Sequence, residues 1–162
     1  MRKYFMAVMV AGILITSSCI KGSNGSSTCS YDVCQLKAPD SEIVRLDKYI
    51  SDNNITAVKH CSGLYYTIVT AGTGNSPVPC STVAVNYTGT YTNGNVFDKS
   101  TLPVTFALNQ VISGWTKGLT LAKRGGKIKL YIPPSLGYGP NQYQTIPGNS
   151  ILIFDIDLLD FQ

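Results

Sequence analysis

Residues 85–98 read VNYTGTYTNGNVFD, and this stretch predicts a β-hairpin. Val85 and Tyr87 alternate with polar residues, which is the period-two pattern of a half-buried strand. The pair Asn93-Gly94 favours a tight two-residue turn, because both residue types tolerate a positive φ. The pair Val96-Phe97 then begins the returning strand.

Further strands and one short helix are predicted around this hairpin. Residues 64–69 are aromatic and β-branched, residues 127–132 alternate, and residues 152–158 place four apolar side chains on one face. Between these strands, residues 114–121 are the one helical candidate, with apolar side chains four residues apart. The pattern predicts an α+β domain in which a short helix lies on one antiparallel sheet.

A second helix is predicted ahead of the strands. Residues 41–52 (SEIVRLDKYISD) place apolar side chains at helical spacing, and Asp40 or Ser41 is available as an N-cap. We expect this amphipathic helix to pack on the main domain or to mediate self-association. Residues 40–61 are therefore interpreted as an N-terminal helix and linker.

The N-terminus predicts export and lipid anchoring. A basic start at Arg2 and Lys3, an apolar run over residues 5–15 and small residues before Cys19 are typical of a secretory signal. Small residues followed by Cys resemble a bacterial lipobox, so residues 1–18 are expected to be cleaved and Cys19 lipidated. Residues 19–39 would form a flexible tether. The alternative is ordinary secretion, with Cys19 discarded or left as a thiol.

Four cysteines remain after Cys19, an even number that suits an oxidising compartment: Cys29, Cys34, Cys61 and Cys80. Two disulfides are expected. The shortest loops come from pairing the first two and the last two, whereas a crossed pairing would pin the tail to the domain. A structural zinc site is disfavoured because the spacing lacks paired C-x-x-C knuckles.

Composition excludes several functions. The formal net charge of +4 includes Arg2 and Lys3, and the remaining charges are scattered, so no nucleic-acid partner is expected. His60 is the only histidine, and nothing near it resembles a nucleophile elbow. The pair Gly125-Gly126 fits neither phosphate-binding glycine pattern. Hydrolase chemistry, a bound metal and an organic cofactor are all disfavoured.

Four blocks resemble the FKBP family in order and spacing across residues 62–162: VNYTGTYTNGNVFD from Val85, QVISGWTKGL from Gln110, IPPSLGYG from Ile132 and LIFDIDLL from Leu152. The resemblance implies a twisted antiparallel sheet wrapped around one short α-helix. It also implies peptidyl-prolyl cis-trans isomerase activity on proline-containing or unfolded exported polypeptides. A macrolide is a possible ligand. The expected location is the cell envelope, with a lipid anchor in the outer membrane.

The resemblance also implies the site residues. The proline pocket would be lined by Phe97, Val111, Ile112, Trp115 and Phe154, with Trp115 as its floor and Ile146 in an overhanging loop. The polar catalytic set would be Tyr87, Asp98 and Tyr138. The Tyr138 hydroxyl and the Ile112 backbone N–H would bind substrate carbonyls.

Some positions depart from the family's pattern. Val104 replaces a frequent aromatic residue, with Phe106 at the following strand position, and Gln142 or Tyr143 stands where a histidine is common. These departures bear on catalytic rate and macrolide affinity. The alternative function is therefore a non-catalytic FKBP-like module that binds polypeptides as a chaperone or scaffold.

Overall fold

The computed structural model describes residue 29 and residues 31–162 of the chain. Two α-helices, seven strands and two short 3₁₀ helices follow one another in these residues. Their bounds are α1 (Asp40–Asp52), β1 (Val58–Lys59), β2 (Tyr65–Thr70), β3 (Thr82–Tyr91), β4 (Val96–Lys99), β5 (Val104–Ala107), the 3₁₀ helix Leu108–Gln110, α2 (Ser113–Leu119), β6 (Lys127–Ile132), the 3₁₀ helix Pro134–Leu136 and β7 (Leu152–Phe161).

The strands form one antiparallel sheet in the order β1-β2-β6-β7-β3-β4, and β5 also pairs with β3. On one side β3 pairs with β7 from Val83 to Tyr91. On its other side, β3 pairs first with β5 and then with β4. Ser100 bridges the gap between these two partners, because its hydroxyl accepts the Tyr87 N–H at 2.9 Å. The α+β fold predicted from the sequence is confirmed.

The main core lies between α2 and one face of the sheet. Two glycines let α2 approach the sheet closely. A Cβ on Gly114 would lie 2.6 Å from Ile132, and a Cβ on Gly118 would lie 2.5 Å from Leu130. Because these distances are shorter than real carbon contacts, larger residues would push α2, and Trp115 with it, away from the sheet.

A smaller core lies on the opposite face, where α1 packs against the sheet. Leu46 and Ile50 of α1 contact Tyr131, Ile151 and Ile153. Packing on the domain is one of the two arrangements expected for this helix. The predicted N-cap was wrong. Pro39 occupies that position and its carbonyl accepts the first helical N–H groups, so no side chain caps the helix.

Two nested disulfides attach the segment before α1 to the domain. Cys29 pairs with Cys80 and Cys34 pairs with Cys61, so the pairing of shortest loops is not adopted. Between the bridges and α1, Ala38 is buried and its N–H donates to the Ser62 carbonyl. The predicted signal, the lipidation at Cys19 and the tether up to residue 28 lie outside the described residues.

Within residues 29 and 31–162, neither helix has the length and apolar character that spanning a bilayer requires.

Candidate active site

An open cavity of about 280 Å³ lies over α2, on the same face of the sheet as the main core. Residues from six parts of the chain meet there: Tyr87, Asp98, Phe106, Gln110, Val111, Ile112, Trp115, Tyr138, Tyr143 and Phe154. The strands β3, β5 and β7 supply its aromatic walls. The start of α2 supplies its base, and the loop after Tyr138 supplies its rim.

Trp115 is the floor of this cavity and is 4% exposed. Three other rings meet it edge to face, with centroids 5.1 Å away for Tyr87, 5.3 Å for Phe154 and 5.6 Å for Phe106. The aromatic arrangement fixes the indole at nearly right angles to its neighbours, a favourable quadrupole geometry. The indole Nε1–H is buried and has no hydrogen-bond acceptor in the described chain.

Gly89 allows a further ring, Phe97, to stand behind the cavity wall that Phe154 forms. A Cβ on Gly89 would lie 2.6 Å from Phe97 and 2.9 Å from Phe154. Without that Cβ, the rings of Phe97 and Phe154 meet edge to face at 5.5 Å. Phe97 therefore supports Phe154 from behind and is not one of the residues that line the cavity.

Tyr87 and Asp98 form the polar pair of the site. The Tyr87 hydroxyl donates to Asp98 Oδ2 at 2.7 Å, across the pairing of β3 with β4. Two main causes raise the pKa of Tyr87 to about 12: burial is the larger, and the contact with the Asp98 carboxylate is the smaller. The phenol therefore keeps its proton at neutral pH and holds the carboxylate in one orientation.

The base of the cavity offers a backbone donor. Ile112 immediately precedes α2 and has extended angles, φ −58° and ψ 144°. Its carbonyl accepts the Trp115 N–H at 2.9 Å, and in the described chain no carbonyl accepts its own N–H. Donors at a helix N-terminus lack intrahelical acceptors, so this N–H is available to a ligand.

The rim carries a pair of tyrosines that sequence reasoning placed only partly. The Tyr138 and Tyr143 rings stack with centroids 4.7 Å apart and planes within 9°. Burial and then the neighbouring Tyr143 raise the pKa of Tyr138. Of the two residues considered at the position of the family's histidine, Tyr143 lines the cavity, whereas Gln142 donates to the Gln144 carbonyl.

The loop after Tyr138 is tied down at several points. Tyr143 and Ile146 exchange two backbone hydrogen bonds, at 3.0 and 2.9 Å. Ile146 is buried in the main core, so it anchors the loop and does not line the cavity. The Tyr91 hydroxyl donates to the Thr145 carbonyl at 3.3 Å.

The structure thus brings together every predicted pocket residue except Phe97 and Ile146, which stand behind it. Phe106, Gln110 and Tyr143 line the cavity without having been predicted as site residues. Phe106 had a usable signal, because it lies two residues after Val104 on the same face of β5, the face that packs on the main core and Trp115. The place of Gln110 depends on loop geometry for which the sequence offers no pattern.

Comparison with known proteins identifies the family of this chain. The family model described as FKBP-type peptidyl-prolyl cis-trans isomerase matches residues 74–159. The chain therefore belongs to the FKBP-type peptidyl-prolyl cis-trans isomerase family.

Among individual relatives, the FKBP-type isomerase FkpA of Escherichia coli strain K12 is 51% identical over 102 residues, which are 61% of this chain and 38% of FkpA. The crystal structure of E. coli FkpA superposes with a TM-score of 0.69 and 41% identity, covering 76% of this chain and 60% of that one. A peptidyl-prolyl cis-trans isomerase structure from Pseudomonas syringae pv. tomato gives a TM-score of 0.68 at 31% identity. It covers 78% of this chain and 98% of that one.

The sequence match spans less than half the length of the E. coli relative. The chain matches almost all of the P. syringae structure. What the comparisons share with this protein is therefore the isomerase-type domain.

Proposed function

We propose that this protein is a peptidyl-prolyl cis-trans isomerase that assists the folding of exported proteins. The observation that carries the proposal is the apolar cavity floored by Trp115 and walled by Tyr87, Phe106 and Phe154. A proline ring is small and apolar, so it suits a cavity of this size and lining.

The reaction needs no covalent chemistry. An X-Pro amide isomerises slowly because twisting it costs conjugation, a barrier of about 18–20 kcal/mol. In the twisted state the amide has lost conjugation, and the charge separation between nitrogen and oxygen falls. An apolar floor therefore binds the twisted state better than the planar one, and such differential binding lowers the barrier.

Polar groups at the edge of the cavity would hold the peptide. The Tyr138 hydroxyl and the Ile112 N–H would each donate to a substrate carbonyl on either side of the proline. The bond from Tyr87 to Asp98 would keep both side chains in place around the ring. Neither phenol is a general acid near neutrality, because the pKa of each tyrosine is raised.

The direct test is protease-coupled turnover of a Leu-Pro peptide. We expect isomerisation well above the uncatalysed rate for the wild type, and a large loss for Trp115→Ala. The rival function is a non-catalytic binding module. Saturable binding of the peptide, together with an isomerisation rate equal to the uncatalysed one, would establish that rival.

Macrolide binding is a weaker part of the proposal. The same apolar floor would receive the ring of a macrolide, but Val104 gives less aromatic surface at the edge of β5 than many family members have. We expect weak inhibition of turnover by a macrolide such as FK506. Titration of the Trp115 fluorescence with the macrolide measures the affinity directly.

We also propose that the protein acts in the cell envelope, attached by a lipid on Cys19. The signal-like residues 1–18 support this location, and so do the two disulfides of the folded domain. Bacterial lipoproteins carry several acyl chains, which anchor a protein more firmly than one chain does. The mature form should therefore sediment with membranes. Cys19→Ala should move it to the soluble fraction or leave its signal uncleaved. A fully soluble wild type in its own host would refute the anchor.

A further inference from the structure

The two disulfides have different surroundings. Both residues of the Cys34–Cys61 bridge are exposed, and the His60 ring lies against it. The Cys61 sulfur is 3.6 Å from His60 Nε2 and 3.7 Å from Nδ1. In the described residues, no side chain comes within hydrogen-bonding distance of either sulfur of Cys29–Cys80. One bridge is therefore built into a polar site and the other is not.

Hydrogen bonding assigns the proton on the His60 ring. Nδ1 accepts the Ser62 N–H at 3.2 Å, and the Ser62 hydroxyl lies 2.9 Å from the same nitrogen. A ring nitrogen that accepts a backbone N–H carries no proton, so the neutral ring has its proton on Nε2. Burial is the larger cause that lowers the pKa of His60, and the positive charge of Lys117 is the smaller one. The neutral ring therefore carries its N–H on Nε2, the nitrogen that lies 3.6 Å from the Cys61 sulfur.

A buried cation lies near the same bridge. Lys117 on α2 has no exposed surface, and its ammonium donates to the Val33 carbonyl at 2.6 Å. The Tyr31 ring lies 5.2 Å from this ammonium. Val33 directly precedes Cys34, so the positive charge is held close to the bridge. A positive charge and a hydrogen-bond donor both favour a thiolate over a thiol.

An open groove of about 380 Å³ reaches the bridge from solvent. Cys61 and His60 lie in its wall, and Lys37 and Lys59 line it further out. Both lysines are paired with aspartates of α1, at 3.1 and 2.8 Å. The groove thus leaves the Cys61 side of the bridge open, while Cys34 does not line the groove and is itself exposed, so a polypeptide segment can reach the Cys34 sulfur without unfolding the domain.

We propose that Cys34–Cys61 is a thiol–disulfide exchange site that oxidises cysteine pairs in polypeptides. A client thiolate attacks the Cys34 sulfur, forming a client–Cys34 mixed disulfide, and the S–S electron pair leaves on Cys61. The His60 N–H and the Lys117 charge stabilise the Cys61 thiolate as it forms. Low basicity of the leaving thiol speeds such exchange.

The second half of the exchange completes the electron balance. The client's second thiolate attacks its own sulfur in the mixed disulfide and displaces the Cys34 thiolate. The client then holds a disulfide, and the protein holds Cys34 and Cys61 reduced by two electrons. This activity is separate from the isomerase cavity and does not depend on turnover there.

The test uses the oxidised full chain and a short peptide with two cysteines. Quenching by alkylation at successive times, followed by peptide mass mapping, reports which bridge opens and which cysteine carries the mixed disulfide. We expect Cys34–Cys61 to open roughly tenfold faster than Cys29–Cys80, with the adduct on Cys34. The Cys29–Cys80 bridge is the matched control inside the same molecule.

Variants of His60 separate a chemical role from a structural one. His60→Ala should slow opening of Cys34–Cys61 roughly threefold to tenfold, while Cys29–Cys80 opens at its wild-type rate. His60→Gln keeps an N–H donor and should restore part of the rate. Circular dichroism confirms that each variant is folded. Equal opening rates for the two bridges, an adduct on Cys61, or an unchanged rate in His60→Ala would overturn the proposal.

Discussion

Trp115 and Lys117 are two residues apart on α2 and face different parts of the molecule. Trp115 faces the cavity, where three aromatic rings enclose it. Lys117 faces the segment before α1, where the Val33 carbonyl accepts its ammonium. Both side chains are buried, but Trp115 belongs to an apolar cavity, whereas Lys117 makes a polar contact with a segment that the two disulfides hold in place.

The difference lies in how far each environment depends on distant residues. The rings around Trp115 come from strands whose alternation already assigns them to the inner face. Burial of Lys117 requires a segment about 84 residues earlier in the chain to cross over α2. Cys29–Cys80 and Cys34–Cys61 hold that segment on both sides of Val33. Changes at Trp115 should therefore reduce turnover, whereas changes at Lys117 should leave turnover intact and alter stability.

Replacing Trp115 with Ala should have the largest effect. Removing a large buried side chain leaves a cavity and lowers the free energy of unfolding by about 3–5 kcal/mol. Turnover of the Leu-Pro peptide should fall close to the uncatalysed rate, because the floor of the site is gone. Denaturant unfolding and the coupled assay measure the two effects, with Trp115→Phe as the milder control. Native-like stability together with native-like turnover would contradict its place as the floor.

Tyr138→Phe and Asp98→Ala should each cost much less. Removing the Tyr138 hydroxyl loses one hydrogen bond, worth about 0.5–1.5 kcal/mol, or roughly threefold to tenfold in turnover efficiency. Asp98→Ala should cost similarly or somewhat more, because it also frees Tyr87. The raised pKa of each tyrosine keeps both phenols protonated, so turnover should be flat between about pH 6 and 8. A bell-shaped profile, or a several-thousandfold loss without unfolding, would indicate acid–base chemistry.

Tyr143→Ala should reduce turnover by a smaller factor, because Tyr143 acts by holding the Tyr138 ring in place. The stacked pair is worth about 0.5–1.5 kcal/mol, so loss of the stack should reduce turnover efficiency by roughly twofold to tenfold. Tyr143→Phe keeps the ring and should retain the wild-type rate. In a Tyr138→Phe background, where no hydroxyl needs to be held, Tyr143→Ala should cost less. Fully additive losses would show that Tyr143 acts on the substrate directly.

Lys117→Met should leave turnover of the Leu-Pro peptide unchanged and reduce the pH dependence of stability. Burial lowers the pKa of Lys117 in the folded chain below its ordinary 10.5, so the unfolded chain binds that proton more tightly. Stability of the wild type should then rise as pH increases from neutral toward 10.5, and part of this rise should vanish in the variant. Urea unfolding at pH 7, 8 and 9.5 with intact disulfides measures the slope. Identical slopes for the two proteins would contradict the buried charge.

Much of the fold could be predicted because its signals are local. The β6 prediction, residues 127–132, matches the strand in the structure, and α2 and β7 begin within one residue of where the pattern placed them. The two-residue strand β1 was missed, since two residues give no period to detect. The α1 cap was also missed, because a proline carbonyl took the place of the expected polar side chain.

The sequence by itself determined the α+β sheet, the short helix on it and the aromatic set that meets at Trp115. Those features follow from side-chain period, turn residues and family spacing, which are properties of neighbouring positions. Only the tertiary structure decided which cysteines pair, that Tyr143 stacks on Tyr138, and that Lys117 and His60 lie at the Cys34–Cys61 bridge. Each of these depends on how two segments that are remote in sequence pack together, and such packing produces no periodic pattern in the sequence.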